Sequence, residues 1–186
     1  MGNLIRKPVK KILRWIFKVP PYPDPWEKGE VNHGFGLYFF RKDIPKDFRY
    51  FFQGDLKSNV HSLDELCTWL RDCEYISDRA QFRKSDYWQH PCEFERTRKG
   101  DCEDHALWAW RKLVELGFEA EFVIGKKHAW VQFTKDGKLY LLETITKKTS
   151  MWFPVDEVKD QYIPHWSING KFQRFSYAGL LEYLKD

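Results

Sequence analysis

Residues 128–145 read HAWVQFTKDGKLYLLETI, two runs of alternating apolar side chains on either side of Asp136-Gly137. That pattern predicts a β-hairpin closed by a two-residue type I′ turn, because both turn positions need a positive φ that Asp and Gly tolerate. The turn also sets the register. Lys135 then faces Lys138, His128 faces Ile145, and Trp130 faces Glu143. Side chains alternate between faces along a strand, so His128, Trp130, Glu143 and Ile145 share one face. His128 and Glu143 are diagonal neighbours across the ladder, at a separation of roughly 7–8 Å that long side chains can span. A slip of one residue would put them on opposite faces.

Upstream, RTRKGDCEDHALWAW (Arg96 to Trp110) sets a cysteine just after a glycine, where the chain takes on helical periodicity. A helix is expected from about Cys102 to Leu116, stopped by Gly117, with Lys112 near its C-terminus. Ala106, Ala109, Trp110 and Leu113 form its buried stripe, and Cys102 lies on that stripe four residues before Ala106. Unpaired amides at a helix start favour a thiolate, and a nearby imidazolium favours it further. Asp101, Glu103 and Asp104 oppose it. Glu103 and Asp104 are expected to turn away by about 100° and 200° around the helix, which leaves His128 as the activating partner. Three other readings stand beside this one: Cys102 as a small core thiol, Cys102 in a redox or metal role, and His105 as a rival base on the same helix surface.

With 186 residues, 42% hydrophobic and 18% aromatic, the chain has material for one sizeable core and is too short for two. The expected organisation is an appendage over 1–25 and a domain over 26–186. In NLIRKPVKKILRWIFK the apolar residues Leu4, Ile5, Val9, Ile12, Leu13, Ile16 and Phe17 recur at helical spacing with cations between them, and VPPYPDP ends the helix. Three uses fit this helix: packing on the domain, lying on an anionic membrane surface through residues 4–18, or docking on a partner helix. The first eighteen residues carry +6 and the whole chain +4, which leaves the rest at −2, so the body is not built to bind nucleic acid. The spacing of Cys67, Cys73, Cys92 and Cys102 matches no zinc-ligand pattern, and charges interrupt the N-terminal apolar residues, unlike a signal peptide. Free thiols, no metal, no cofactor and a cytoplasmic location, peripheral on the membrane where the helix docks, are the expectations.

Elsewhere, SLDELCTWLRDCEY begins with a capping box of Ser62 and Glu65 and buries Leu63, Leu66, Cys67 and Leu70. A strand is expected at Gly36 to Phe40, a loop over Ser85 to Gly100, a strand over EAEFVIG, a second hairpin at Asn169-Gly170, and a closing helix over AGLLEYLKD. His33, His61, His90 and His165 read as surface or satisfied core residues. Trp152, Tyr162 and Trp166 read as core, or as lining of an acceptor cleft.

The segments GDCEDHA, HAWVQF and YLLETI, in that order, resemble those that carry Cys, His and Asp in the transglutaminase-like superfamily of papain-type cysteine enzymes. Within it, the closest motif is that of the bacterial transglutaminase-like cysteine peptidases. The resemblance runs from about Tyr87 to Ile145. It implies an α+β papain/transglutaminase-like core, with the nucleophile helix packed on an antiparallel β-sheet and the N-terminal amphipathic helix outside it. It also implies Cys102 as nucleophile, His128 as general base and acid, and Glu143 as the orienting carboxylate where the family usually has Asp. The papain-type glutamine falls on Arg96, so the oxyanion hole is expected from the Cys102 backbone N–H with Gln89 or the Trp88 indole.

The expected activity is cysteine-dependent acyl chemistry on a protein, peptide or amide substrate, with hydrolysis favoured over transfer. The alternatives are a catalytically weak or inactive binding or scaffold domain of the same fold, and a membrane-surface adaptor that works through its N-terminal helix.

Overall fold

The computed structural model describes residues 24–30 and 47–178. The N-terminal amphipathic helix, the strand expected at Gly36 to Phe40 and almost all of the expected closing helix lie outside those residues. Among the described residues, no helix is long and apolar enough to cross a membrane.

The hairpin forms as its turn chemistry dictates. Strand β5 (His128–Lys135) pairs antiparallel with β6 (Lys138–Leu142), Lys135 opposite Lys138 and Val131 opposite Leu142. Asp136 and Gly137 take φ of 51° and 73°. Around this hairpin the chain adds β4 (Glu119–Gly125), β7 (Trp152–Pro154), β8 (Pro164–Asn169), β9 (Arg174–Tyr177) and β1 (Lys28–Glu30). The result is one antiparallel sheet in the order β1-β9-β8-β4-β5-β6-β7. The Asn169-Gly170 pair does not make the expected two-residue turn. The loop is longer: Phe172 carries the left-handed φ of 62°, and the Asn169 side chain accepts from the Lys171 and Gln173 amides.

One face of the sheet carries the main core. The side chains of Ala120, Phe122, Ala129, Val131, Phe133 and Ile168 meet the long helix, Cys102–Glu115, across it. In chain order the helices are α1 (Leu63–Arg71), α2 (Asp78–Gln81), α3 (Pro91–Thr97), α4 (Cys102–Glu115) and α5 (Val155–Val158), after a 3-10 turn over Phe48–Phe52. The ring of Phe48 is the hub, within 5.5–6.3 Å, centroid to centroid, of Phe51, Trp88, Trp110, Phe122 and Trp166. Helix α4 is not the one-striped helix that its periodicity suggests. Both sides of it are buried, with Trp108 stacked on Trp69 of α1 at 3.7 Å. Arg111, also buried, spends its guanidinium on the carbonyls of Phe51, Gln53 and Gly54. A buried cation with that many carbonyl partners fastens the Phe48 turn to the helix.

Two local expectations change in detail. Ser62 caps α1 by accepting from the Glu65 amide, but the Glu65 carboxylate reaches one residue further back, to the His61 N–H. The segment expected as loop before Cys102 contains α3, which starts on Pro91, is capped by His90 and stops at Arg98 with φ of 53°. Its proline fits a first helical turn, where the missing N–H has no partner to lose.

The opposite face of the sheet has a smaller cluster. Val123, Trp130 and Leu141 are covered by Val155 and Val158 of α5, Tyr162 and Trp26. Gly125 makes room for it: a Cβ there would run into the Trp130 ring and the Ile163 carbonyl.

Replacing Arg111 with Met should lower stability by roughly 2–4 kcal/mol, because one buried and two half-buried carbonyls lose a charged donor. Urea unfolding of the two proteins side by side measures it.

Candidate active site

Two short parallel strands, β2 (Glu74–Tyr75) and β3 (Lys99–Gly100), bring the chain to the start of α4. Gly100 is needed there. A Cβ would collide with the Asp104 carboxylate and the Gln89 amide, which approach across it. One residue on, Asp101 caps the helix and Cys102 begins it, with the Asp101 amide donating to Asp104 Oδ2 at 3.3 Å.

The Ala129 backbone N–H of β5 is close enough to the Cys102 sulfur to favour its thiolate slightly, so the thiol lies near the residue next to His128. On the far side of that residue, His128 Nε2 and Glu143 Oε2 are 2.7 Å apart. Glu143 sits one residue beyond the end of β6, where its amide donates to the Met151 carbonyl. Its Oε2 also accepts from the Tyr162 hydroxyl at 2.8 Å, and its Oε1 from the Ile145 amide at 3.2 Å. Burial would raise the Glu143 carboxyl, but hydrogen bonds from His128, Tyr162 and Ile145 outweigh it and hold it below the usual range. An ionised Glu143 claims Nε2, which leaves Nδ1 as the ring nitrogen free to exchange a proton with a thiol.

The environment of the thiol differs from the expectation. Glu103 does not turn away: Cys102 Sγ donates to Glu103 Oε2 at 3.3 Å. Burial, then the charges of Glu103 and Asp101, push the thiol far above its ordinary range. The resting form favoured here is therefore a neutral thiol beside the strand. Glu103 is itself pushed up to about 10, by burial and by its hydrogen bond with Asp101. Burial likewise raises Asp104 to about 7 and Asp78 to about 6.

The two expected oxyanion donors are engaged elsewhere. The Gln89 amide group donates to the Lys99 carbonyl at 2.8 Å and to Asp104 Oδ2 at 2.5 Å, and the Trp88 indole donates to Asp86 Oδ1 at 3.0 Å. Gln89 is a strut between β3 and α4. His105 is no rival base: its Nδ1 is 2.7 Å from the Asp101 carbonyl, its ring packs on Phe94, and burial lowers it to about 4. Two neighbours escaped the sequence reading. Tyr75, 49% exposed, is close enough to Cys102 and its acids for their charges to raise its hydroxyl further, after burial. Tyr162 appeared only as core or cleft lining. The lone signal for either was an aromatic residue in an aromatic-rich chain, which singles out nothing.

The cysteine spacing predicted no metal, and that rule examines thiols alone. Asp78, Asp101 and Asp104, and separately Asp78, Asp86 and Glu103, each bring three oxygens within 4.8 Å of one another. An all-oxygen set of this kind suits a hard cation such as calcium or magnesium. All four cysteines are free.

No family model matches the chain, and no curated protein matches it. Among solved structures it is similar to LapG of Legionella pneumophila. The EGTA-treated form gives a TM-score of 0.47 and 22% identity over 58% of this chain and 62% of that one. The calcium-bound form gives 0.47 and 21% over 62% and 67%. This chain thus spans about three fifths of the first of these structures. Similarity of this degree assigns neither family nor activity.

The buried acids have a consequence for stability. Asp78 and Asp104 have folded pKa values above the unfolded value of 3.8, so the folded chain holds more protons than the unfolded one between about pH 4 and 7. Their stabilising contribution is complete below that window and is lost as pH rises through it. In EDTA, the thermal midpoint should receive a falling contribution between pH 4.5 and pH 7.5, and Asp78→Asn should make the pH dependence shallower. Differential scanning fluorimetry across that range checks both.

Proposed function

We propose that this chain performs cysteine-dependent acyl chemistry at an amide or peptide bond, with hydrolysis favoured over transfer. Cys102 is the nucleophile, His128 the general base and acid, and Glu143 the carboxylate that orients His128. The observation that carries the reading is the convergence at one strand end: Cys102 near the Ala129 N–H, and the adjacent His128 fixed through Nε2 by Glu143. The resemblance of GDCEDHA, HAWVQF and YLLETI to the transglutaminase-like cysteine peptidases supports the same assignment.

Because the thiol rests neutral, attack on a carbonyl is coupled to transfer of its proton to His128 Nδ1. The imidazolium so formed is stabilised by Glu143 and then protonates the leaving amine. Water, activated by the same ring, resolves the thioester. The Cys102 amide at the helix start is the first donor to the developing oxyanion.

p-Nitrophenyl acetate provides a test that needs no knowledge of the natural substrate. The wild-type protein should release p-nitrophenol in a burst and carry an acetyl group on Cys102 by peptide mass mapping. His128→Ala should slow acylation by about 10²-fold or more, the usual contribution of a positioned base, without loss of the folded state. Equal acylation of the two proteins would instead identify a binding or scaffold domain with a packed thiol.

A second feature of the site follows from Asp78 Oδ1 and Asp101 Oδ1, both buried and without a hydrogen-bond partner among the described residues. Asp78, Asp101 and Asp104 fit a divalent cation, which when bound would neutralise acids that now hold the thiol protonated. After EDTA treatment, millimolar calcium should raise the thermal midpoint of the wild type and leave that of Asp78→Asn unchanged. Identical responses in the two proteins would remove this feature.

A further inference from the structure

Glu143 is an odd anchor for a histidine. It lies just beyond the last ladder residue of β6, so pairing with β5 no longer fixes its backbone, and its side chain has three rotatable bonds. A carboxylate so placed loses considerable freedom when held in one orientation, and something must hold it. The Ile145 amide takes Oε1 from two residues away. The other oxygen, the one that faces His128, is held from outside the hairpin by Tyr162.

Tyr162 is itself well placed. It follows α5, where its amide donates to the Val158 carbonyl at 3.2 Å, and its ring meets Trp130 edge-on at 5.5 Å. The His128 ring lies 6.2 Å away, so the phenol spans from the small back cluster to the carboxylate. Burial and the Glu143 charge both raise its hydroxyl, which keeps the proton it donates.

We infer that Tyr162 is a positioning residue for the reaction, fixing the Glu143 carboxylate so that Oε2 meets His128 Nε2. The inference rests on the proposed Cys102, His128 and Glu143 assignment and deepens it. It accounts for the use of Glu at a position where the resembled family has Asp: the extra methylene carries the carboxylate out to a phenol, and the phenol restores the rigidity that the longer arm gives up. Trp130 has a part through packing alone, since it shares a face with His128 and supports the phenol ring.

Among the described residues, the titratable groups facing Glu143 are few. They are His128 from β5, Tyr162 from the turn after α5, and from α4 His105, which senses Glu143 but stays neutral at physiological pH. Lys147, in the segment after Glu143, opposes protonation of His105 and donates to the carbonyls of Leu70 and Arg71. Losing the phenol hydroxyl therefore acts on the Glu143–His128 pair. Its carboxylate is less well stabilised, the pair takes up a proton at higher pH, and the base is lost sooner on acidification.

The test is the pH profile of Cys102 alkylation by iodoacetamide in the full chain, followed by peptide mass mapping. Tyr162→Phe keeps the ring and its packing on Trp130 and should leave the thermal midpoint within a few degrees of wild type. Its acid limb should move up by about one pH unit, so that alkylation on that limb is about tenfold slower. In a Glu143→Gln background, adding Tyr162→Phe should change the rate less than about twofold, because the two act through one contact. A Tyr162→Phe profile that overlays the wild type, while His128→Ala departs from it, overturns the positioning role and leaves the triad reading in place. A full tenfold effect of Tyr162→Phe in the Glu143→Gln background overturns it too, by showing that the phenol serves the fold. A His128→Ala profile identical to wild type overturns the triad reading and this inference with it.

Discussion

The site depends on one count of residues, the two-residue turn at Asp136-Gly137. With Lys135 opposite Lys138, every second side chain of β5 and its partner strand is committed to the same face, and His128 and Glu143 arrive together at the strand end. The alternation also divides the work between the two faces. Ala129, Val131 and Phe133 meet helix α4 in the main core, while His128, Trp130 and Gln132 point away from it. Cys102 reaches this strand from the core side, at the Ala129 amide, so the thiol and the imidazole address one strand end from different directions.

The charge around the thiol shows how far burial can override a local rule. A helix start should favour a thiolate, yet here the first turn holds Glu103 and Asp104 behind an Asp101 cap, all three buried or half-buried. Like charges in low dielectric cannot all ionise, so protons are retained on several of them and on the sulfur. Dipole effects of a few tenths to about 1 kcal/mol at a helix end are small beside that desolvation.

How much of this was legible in the sequence depended on whether the information was local. The hairpin register, helix α4 with Gly117 as its stop at φ of 85°, and the burial of Leu63, Leu66, Cys67 and Leu70 follow from spacing and turn chemistry alone. The Asn169-Gly170 turn and the segment before Cys102 depart from expectation because a strong dipeptide signal or a cluster of polar residues does not carry its tertiary setting; Pro91 is the first residue of α3. Glu103 was placed by ideal helical geometry, which fixes where a Cβ points and not where a long side chain ends. Tyr162, nineteen residues from Glu143, and the convergence of Asp78 on the start of α4 are set by the whole topology, and no local pattern announces them.

The parallel pair β2 and β3 has one more implication. It ties the residues just before Cys102 to the segment that follows α1, whereas His128 and Glu143 belong to the sheet. The proposed nucleophile and base are thus mounted on separate structural layers, joined near the site through packing against α4. Partial loosening between the layers would separate the reacting atoms by more than a hydrogen-bond length while each layer kept its own backbone pairing. For a molecule assembled in this way, heat or mild denaturant would silence the proposed chemistry while the circular dichroism of the helices and strands is still native, because alignment is a less stable property than secondary structure.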